Sequence, residues 1–246
     1  MQVTELKARD FSSYWIFVTL LILILASWYY MVFDMTMNME PVVQWDSADI
    51  AMLFLMWAVM MAGMMLPSVV PVILLVDRVN LQRKRRNSPY TQTLYFILGY
   101  LMVWTFYSLM ITFIQWGLHH LALLSPMMVS ANDFFSGGLL IIAGLYQWSP
   151  LKQRCLQLCR SPLSIITTQW KEGVVGAIKM GVTHGQYCLG CCWFLMAILF
   201  VTGVMNLKWI LVLTVLVMVE KLVPKGEVVS KFIGAILIIL GLSLVI

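Results

Sequence analysis

Long apolar stretches separated by short polar connections run through the whole chain. Seven can be drawn, at about 14–32, 50–75, 91–117, 133–148, 184–204, 207–222 and 229–246. Each is close to the ~20 residues with which an α-helix crosses the hydrocarbon of a bilayer. The fourth and sixth are short, a length that suits little tilt or a locally thinned bilayer. No connection between them is long enough for a core of its own. The pattern therefore predicts an all-α, polytopic transmembrane helical bundle of seven spans, a single domain over 1–246. The longest connection holds SPLKQRCLQLCRSPLS, in which Leu151, Cys155, Leu158 and Cys159 recur at helical spacing while Lys152, Arg154 and Arg160 take the other side. That predicts an amphipathic helix over about 150–162, lying on the cytoplasmic membrane face. Pro67 and Pro71 fall inside the second run, which is tolerated where neighbours satisfy the freed backbone groups.

The charges orient this pattern. With the amino terminus inside, the inner connections hold Lys7 and Arg9, then Arg78, Arg83, Lys84, Arg85 and Arg86, then Lys152, Arg154, Arg160, Lys171 and Lys179, and finally Lys221, Lys225 and Lys231. Of the 16 basic residues only Lys208 then falls outside. Dropping a middle helix scatters them over both sides, so the positive-inside rule predicts seven spans with the amino terminus in and the carboxyl terminus out. The first outer loop is acidic (Asp34, Glu40, Asp46, Asp49), and Trp28, Tyr29, Tyr30, Trp45, Trp116 and Trp209 form an aromatic belt near the outer ends. Composition agrees: 61% of residues are hydrophobic and 11% charged, against roughly 25% charged in soluble domains, and the mean hydropathy is +0.90. The net charge of +5 lies in membrane-flanking loops, which points to the bilayer and away from nucleic acid. A multi-pass protein of the inner (plasma) membrane is expected. The first run is long enough to span and carries no small-residue cleavage pattern, so a cleaved signal peptide is not expected.

Candidate chemistry is concentrated in sulfur. His184, Cys188, Cys191, Cys192 and Met196 fall on one helical stripe. Imidazole, thiolate and thioether together suit Cu(I), or zinc with the thioether left out. The plainer reading is a small-residue packing face with Gly185 and Gly190. Three cysteines and a histidine within nine positions of an apolar segment favour a site. Met61, Met64 and Met65 on the second helix reach the same depth as Cys188 and Cys191 if helix 2 descends while the helix bearing the cysteines ascends. A methionine stripe is otherwise ordinary packing. Met35, Met37 and Met39 alternate in the acidic outer loop, a capture motif for Cu(I) or a set of interfacial anchors. His119 and His120 stand near the next outer loop as further ligands or interfacial residues. Cys155 and Cys159, four apart beside Arg154 and Arg160, suggest lowered thiol pKa values and metal handoff or redox sensing in a reducing cytosol, or small apolar membrane contacts. The five cysteines, an odd number, form no secreted disulfide framework.

At these residues the chain resembles a known group, the metal-binding integral membrane proteins of domain-of-unknown-function family 2182. The resemblance rests on Trp57-Ala58 with Met60 through Ser68, on Gly144-Leu145-Tyr146-Gln147 and Pro150-Leu151-Lys152, and on Cys155 through Pro162. It continues in His184-Gly185, Tyr187 through Trp193, Gly203 through Leu207, and Glu220-Lys221. It implies a polytopic membrane protein with a metal role, copper foremost, and supplies no reaction. The leading expectation is a Cu(I)-handling membrane protein, more a transporter, chaperone or delivery factor than an enzyme, serving a membrane cuproenzyme or another copper chaperone. Two alternatives stand beside it: an accessory subunit, or an oligomer, within a larger membrane oxidase or monooxygenase complex, and a membrane thiol oxidoreductase using Cys188-Leu-Gly-Cys191. No Walker loop is present to couple ATP to transport.

Overall fold

The computed structural model describes residues 2–34, 46–90, 92–121, 124, 130, 132–161 and 170–246, with side chains from Tyr14 onward. Its elements are α1 (Gln2–Phe33), α2 (Ser47–Arg85), α3 (Thr93–His120), α4 (Asp133–Trp148), α5 (Pro150–Arg160), α6 (Gly173–Ala197), α7 (Leu199–Thr202), α8 (Leu207–Leu222) and α9 (Gly226–Val245). Among the described residues there is no strand beyond an isolated bridge, Leu124 to Ser130. Among the described residues five helices, α1, α2, α3, α6 continued by α7, and α9, are long and apolar enough to cross a membrane. The other two expected spans, α4 and α8, have 16 residues each. That is about 24 Å of helix, short of a ~30 Å hydrocarbon core.

Local chemistry sets the helix ends. Asp46 caps α2 in a reciprocal capping box: the Asp49 carboxylate accepts from Asp46 N at 3.0 Å, and Arg83, Lys84 and Arg85 complement the dipole in the last turn. Ser149 ends α4 and caps α5, accepting from Lys152 N at 3.1 Å, with Pro150 at the first helical position. Inside α2, Pro67 cannot donate to the carbonyl of Gly63 four residues back. That carbonyl accepts instead from the Trp28 indole N–H of α1 at 3.3 Å, so the neighbouring helix satisfies what proline frees.

Glycines bring the helices close. In the antiparallel pair α4 and α9, Gly144 meets Gly234 and Gly137 meets Gly241, two turns apart on each helix, and backbone lies against backbone. The parallel pair α3 and α6 is pressed together in the same way: Gly99 lies on Ile178 O, Gly181 on Phe96 O and Tyr100 N, and Gly185 on Val103. Of the expected small-residue face of α6, Gly185 lies on α3, whereas Gly190 lies against Cys155 of α5. α2 packs on α1 and α3, α5 on α6, and α8 on α2 and α9. The interior between α2, α3, α6 and α8 is filled by Met60, Met61, Met64, Met65, Trp57, Tyr100, Phe96 and the cysteines of α6, nearly all fully buried.

A Cβ at Gly181 runs into the backbone of α3, whereas one at Gly138 meets nothing within 4 Å. Gly181→Val is expected to destabilise the protein by about 1–3 kcal/mol through overpacking. Gly138→Ala is expected to be neutral or to add up to about 1 kcal/mol by helix propensity. Thermal unfolding of the two variants in detergent checks the contrast.

Candidate functional site

All five cysteines, free of disulfides, gather where α2, α3, α5, α6 and α8 meet. Helical spacing on α6 turns Cys188, Cys191 and Cys192 inward, each 1% exposed, with His184 one turn earlier at the same exposure. Cys192 Sγ lies 4.0 Å from Met65 Sδ on α2. Cys188 Sγ is hydrogen-bonded to the Tyr100 hydroxyl of α3 at 3.1 Å, and Tyr100 also donates to Met65 O at 3.4 Å. From α5, Cys159 is buried on the face turned to the bundle and is close enough to Cys188 and Cys191 for them to shift its thiol. Cys155, one turn back and half-buried, rests on α6 where a Cβ on Gly190 would stand 2.7 Å from its sulfur. The sequence kept the α5 and α6 cysteines apart as two sites; the structure makes them one cluster.

Two charged groups enter this interior. Lys221, near the end of α8, is buried and its Nζ donates to Cys188 Sγ at 2.9 Å and to Ser68 Oγ at 3.0 Å. Its neighbour Glu220 turns the other way and pairs with Lys152 of α5 at 2.8 and 3.0 Å, with side chains 1% and 0% exposed. Lys152 thus departs from its predicted place on the polar face of α5. The inward face is Lys152, Leu156 and Cys159, spaced i, i+4, i+7, while Leu151 is exposed. A carboxylate inside the bundle draws the ammonium inward, and a fully hydrogen-bonded ion pair is how a buried lysine is accommodated.

The expected lowering of the α5 thiol pKa values is also reversed. Burial, and then the nearby Cys191, push the Cys155 thiol up. Hydrogen bonds to Cys188 and Cys191, and then burial, push Cys159 up. Arg160, expected to favour the thiolate, is spent on Val223 O.

Of the other candidates, Met61 and Met64 are fully buried on α2, on the helix that carries Met65. His184 stacks between Phe96 and Tyr100, 6.0 Å from each ring, and its Nδ1 has no partner among the described residues. His119 and His120 stand in the last turn of α3, about 30 Å along the helix from Tyr100 at ~1.5 Å per residue, and are not brought to the cysteines. Met35, Met37 and Met39 lie outside the described residues. Among the described residues, no group of three or more His, Cys, Asp or Glu stands ready to enclose a metal ion. The thiols of Cys191 and Cys192 both donate back to Cys188 O, at 3.0 and 2.9 Å, and so are turned away from a common point. Rotation of these two side chains is what ligation requires.

A family model for PpoB2, described as a copper chaperone, matches residues 54–244. The chain belongs to this copper chaperone family. The matched region runs from α2 to α9 and includes every residue of the cluster. No curated protein and no solved structure matches the chain.

From the sequence, Lys152, Glu220, Lys221 and Ser68 stand among the residues of the family resemblance, with no place in the site, and Tyr100 does not stand out at all. The available signal was Glu220-Lys221 at the end of an apolar run, since ionisable residues in such segments are seldom passive. Removing one partner of the buried pair is expected to destabilise by about 3–5 kcal/mol, so Glu220→Gln should lower the melting temperature and raise maleimide labelling of Cys159. Because burial holds its thiol up, Cys155 should alkylate more slowly than a free cysteine at neutral pH, with a rate still rising above pH 9.

Proposed function

We propose that the protein is a multi-pass membrane Cu(I) chaperone that carries its cargo on the buried sulfur cluster. Cys188 and Cys191 are the thiolate ligands, and Cys192, Cys159, Met65, His184, Met61 and Met64 stand as reserve ligands beside them. The single observation that carries this reading is that the α5 and α6 cysteines pack against one another in the interior of a chain of a copper chaperone family. Soft sulfur donors match Cu(I), and a dry apolar surround protects it from oxidation and from competing water. Each Cu–thiolate bond replaces an S–H bond of a cysteine, and the proton leaves to water; a methionine thioether binds without releasing one. Cys155, half-buried at the rim of the cluster, is the exchange position through which a membrane cuproenzyme or a second copper chaperone takes the ion. Burial of both Cys188 and Cys191 opposes the oxidoreductase alternative, because a protein disulfide cannot reach them.

The topology that suits this role has seven spans, the amino terminus in the cytoplasm and the carboxyl terminus outside. It is supported by the basic connections and by the alternation of helix directions, with α4 and α8 running beside longer partners. On this topology the helix that bears Cys155 and Cys159 lies at the cytoplasmic end of the bundle, and Met35, Met37 and Met39 collect copper outside, the latter on sequence grounds alone. The resemblance to domain-of-unknown-function family 2182 belongs to the same reading.

The test is competition between the full chain in detergent and a chromophoric Cu(I) chelator. The double substitution Cys188→Ser and Cys191→Ser should weaken Cu(I) binding by more than about tenfold, or 1.4 kcal/mol. Met52→Leu, at an exposed position, should leave it unchanged. Wild-type protein that takes no Cu(I), or a double variant that binds as wild type does, overturns the proposal.

A further inference from the structure

Lys221 is the charge that the sulfur cluster keeps for itself. The neighbouring Glu220 is already neutralised by Lys152. Among the described residues the ion pairs are Lys152–Glu220 and the distant Arg83–Glu172, so Lys221 has no carboxylate in salt-bridge contact. The other cation nearby, Arg160, is turned to the backbone at Val223. The ammonium is instead fixed by Ser68 Oγ at 3.0 Å and directed at Cys188 Sγ at 2.9 Å. Ser68 is held in turn by donating to Met65 O at 2.8 Å. An interior that shields two charges with one another and leaves a third aimed at a thiol is built around charge balance.

A monovalent cation bound by one thiolate is neutral; bound by two it carries a net negative charge. In a low-dielectric interior that charge is costly unless a fixed opposite charge lies alongside. We infer that Lys221 is the built-in counter-charge that lets the site hold Cu(I) between two thiolates, Cys188 and Cys191, instead of one. Lys221 is a positioning residue here: it ligates nothing, donates to the ligand sulfur, and stays in place as copper arrives. Loading breaks two S–H bonds, forms two Cu–S bonds and releases the protons to water. The Lys152–Glu220 pair has the separate task of absorbing the other two charges, so that only Lys221 acts on the cluster.

This inference rests on the proposed Cu(I) reading of the same site, and the experiment separates the two. Lys221→Gln keeps an N–H donor for Ser68 and Cys188 but removes the charge, Lys221→Met removes both, and Lys221→Arg keeps the charge. In the chelator competition, Lys221→Gln and Lys221→Met should weaken Cu(I) binding at least tenfold, and Lys221→Arg should recover most of the loss. The second thiolate should also lose its value without the charge. Cys191→Ser should therefore weaken binding clearly less in the Lys221→Gln background than in the wild type, a coupling that general loosening of the fold does not produce. Copper bound through the cysteines with equal affinity in Lys221→Gln, an arginine variant no better than the glutamine one, or losses that simply add, overturns the counter-charge. A wild-type protein that binds no Cu(I), or binds it without Cys188, overturns the reading beneath it.

Discussion

The ion pair between Lys152 and Glu220 joins α5 to α8 through the interior, and the arrangement of the sulfur cluster follows from it. Neither charge reaches solvent, so each is tolerable only while the other is in place. Holding Lys152 turns the inward face of α5 toward the bundle and carries Cys159, two turns along the same face, to Cys188 and Cys191. Holding Glu220 fixes the last turn of α8, and the next residue, Lys221, is thereby delivered to the opposite side of the same sulfurs. One pair thus sets the positions of two groups on two elements, with Arg160 donating to Val223 O as a second tie between them.

The remaining walls are set by helix approach. Gly99, Gly181 and Gly185 let α3 lie against α6 backbone to backbone, and only at that separation does the Tyr100 hydroxyl reach Cys188. On the other side Pro67 interrupts α2, one turn along from Gly63, and the indole of Trp28 takes the carbonyl it frees. This leaves Met65 and Ser68 on the face that meets the cysteines. The fully buried methionines between them fill the irregular space with polarizable, unbranched side chains. The same atoms that pack the interior also surround the cluster with soft donors, so packing and copper handling make compatible demands on this part of the chain.

Much of this was legible in the sequence. The long helices show as apolar runs, α5 shows in the helical spacing of Leu151, Cys155, Leu158 and Cys159, and the spacing of His184, Cys188, Cys191 and Cys192 puts them on one face. What was not legible was which faces meet. Lys152 follows the periodicity of a solvated face and was assigned to one, because a one-dimensional pattern cannot see a carboxylate 68 positions away reaching the same point. Lys221 was counted as a loop charge for the same reason. The thiols of α5 were judged by their arginine neighbours in sequence, whereas their surroundings are set by burial and by the α6 sulfurs. Periodicity identifies the inward side of a helix; it does not identify its partner, and the charge chemistry of the site is entirely a matter of partners.

Whether copper sits on this cluster is read by X-ray absorption at the copper edge of the Cu(I)-loaded full chain. The expected first shell is sulfur alone, and it shrinks when Cys188 becomes serine. A shell of nitrogen or oxygen scatterers, or a sulfur shell indifferent to Cys188, would contradict it.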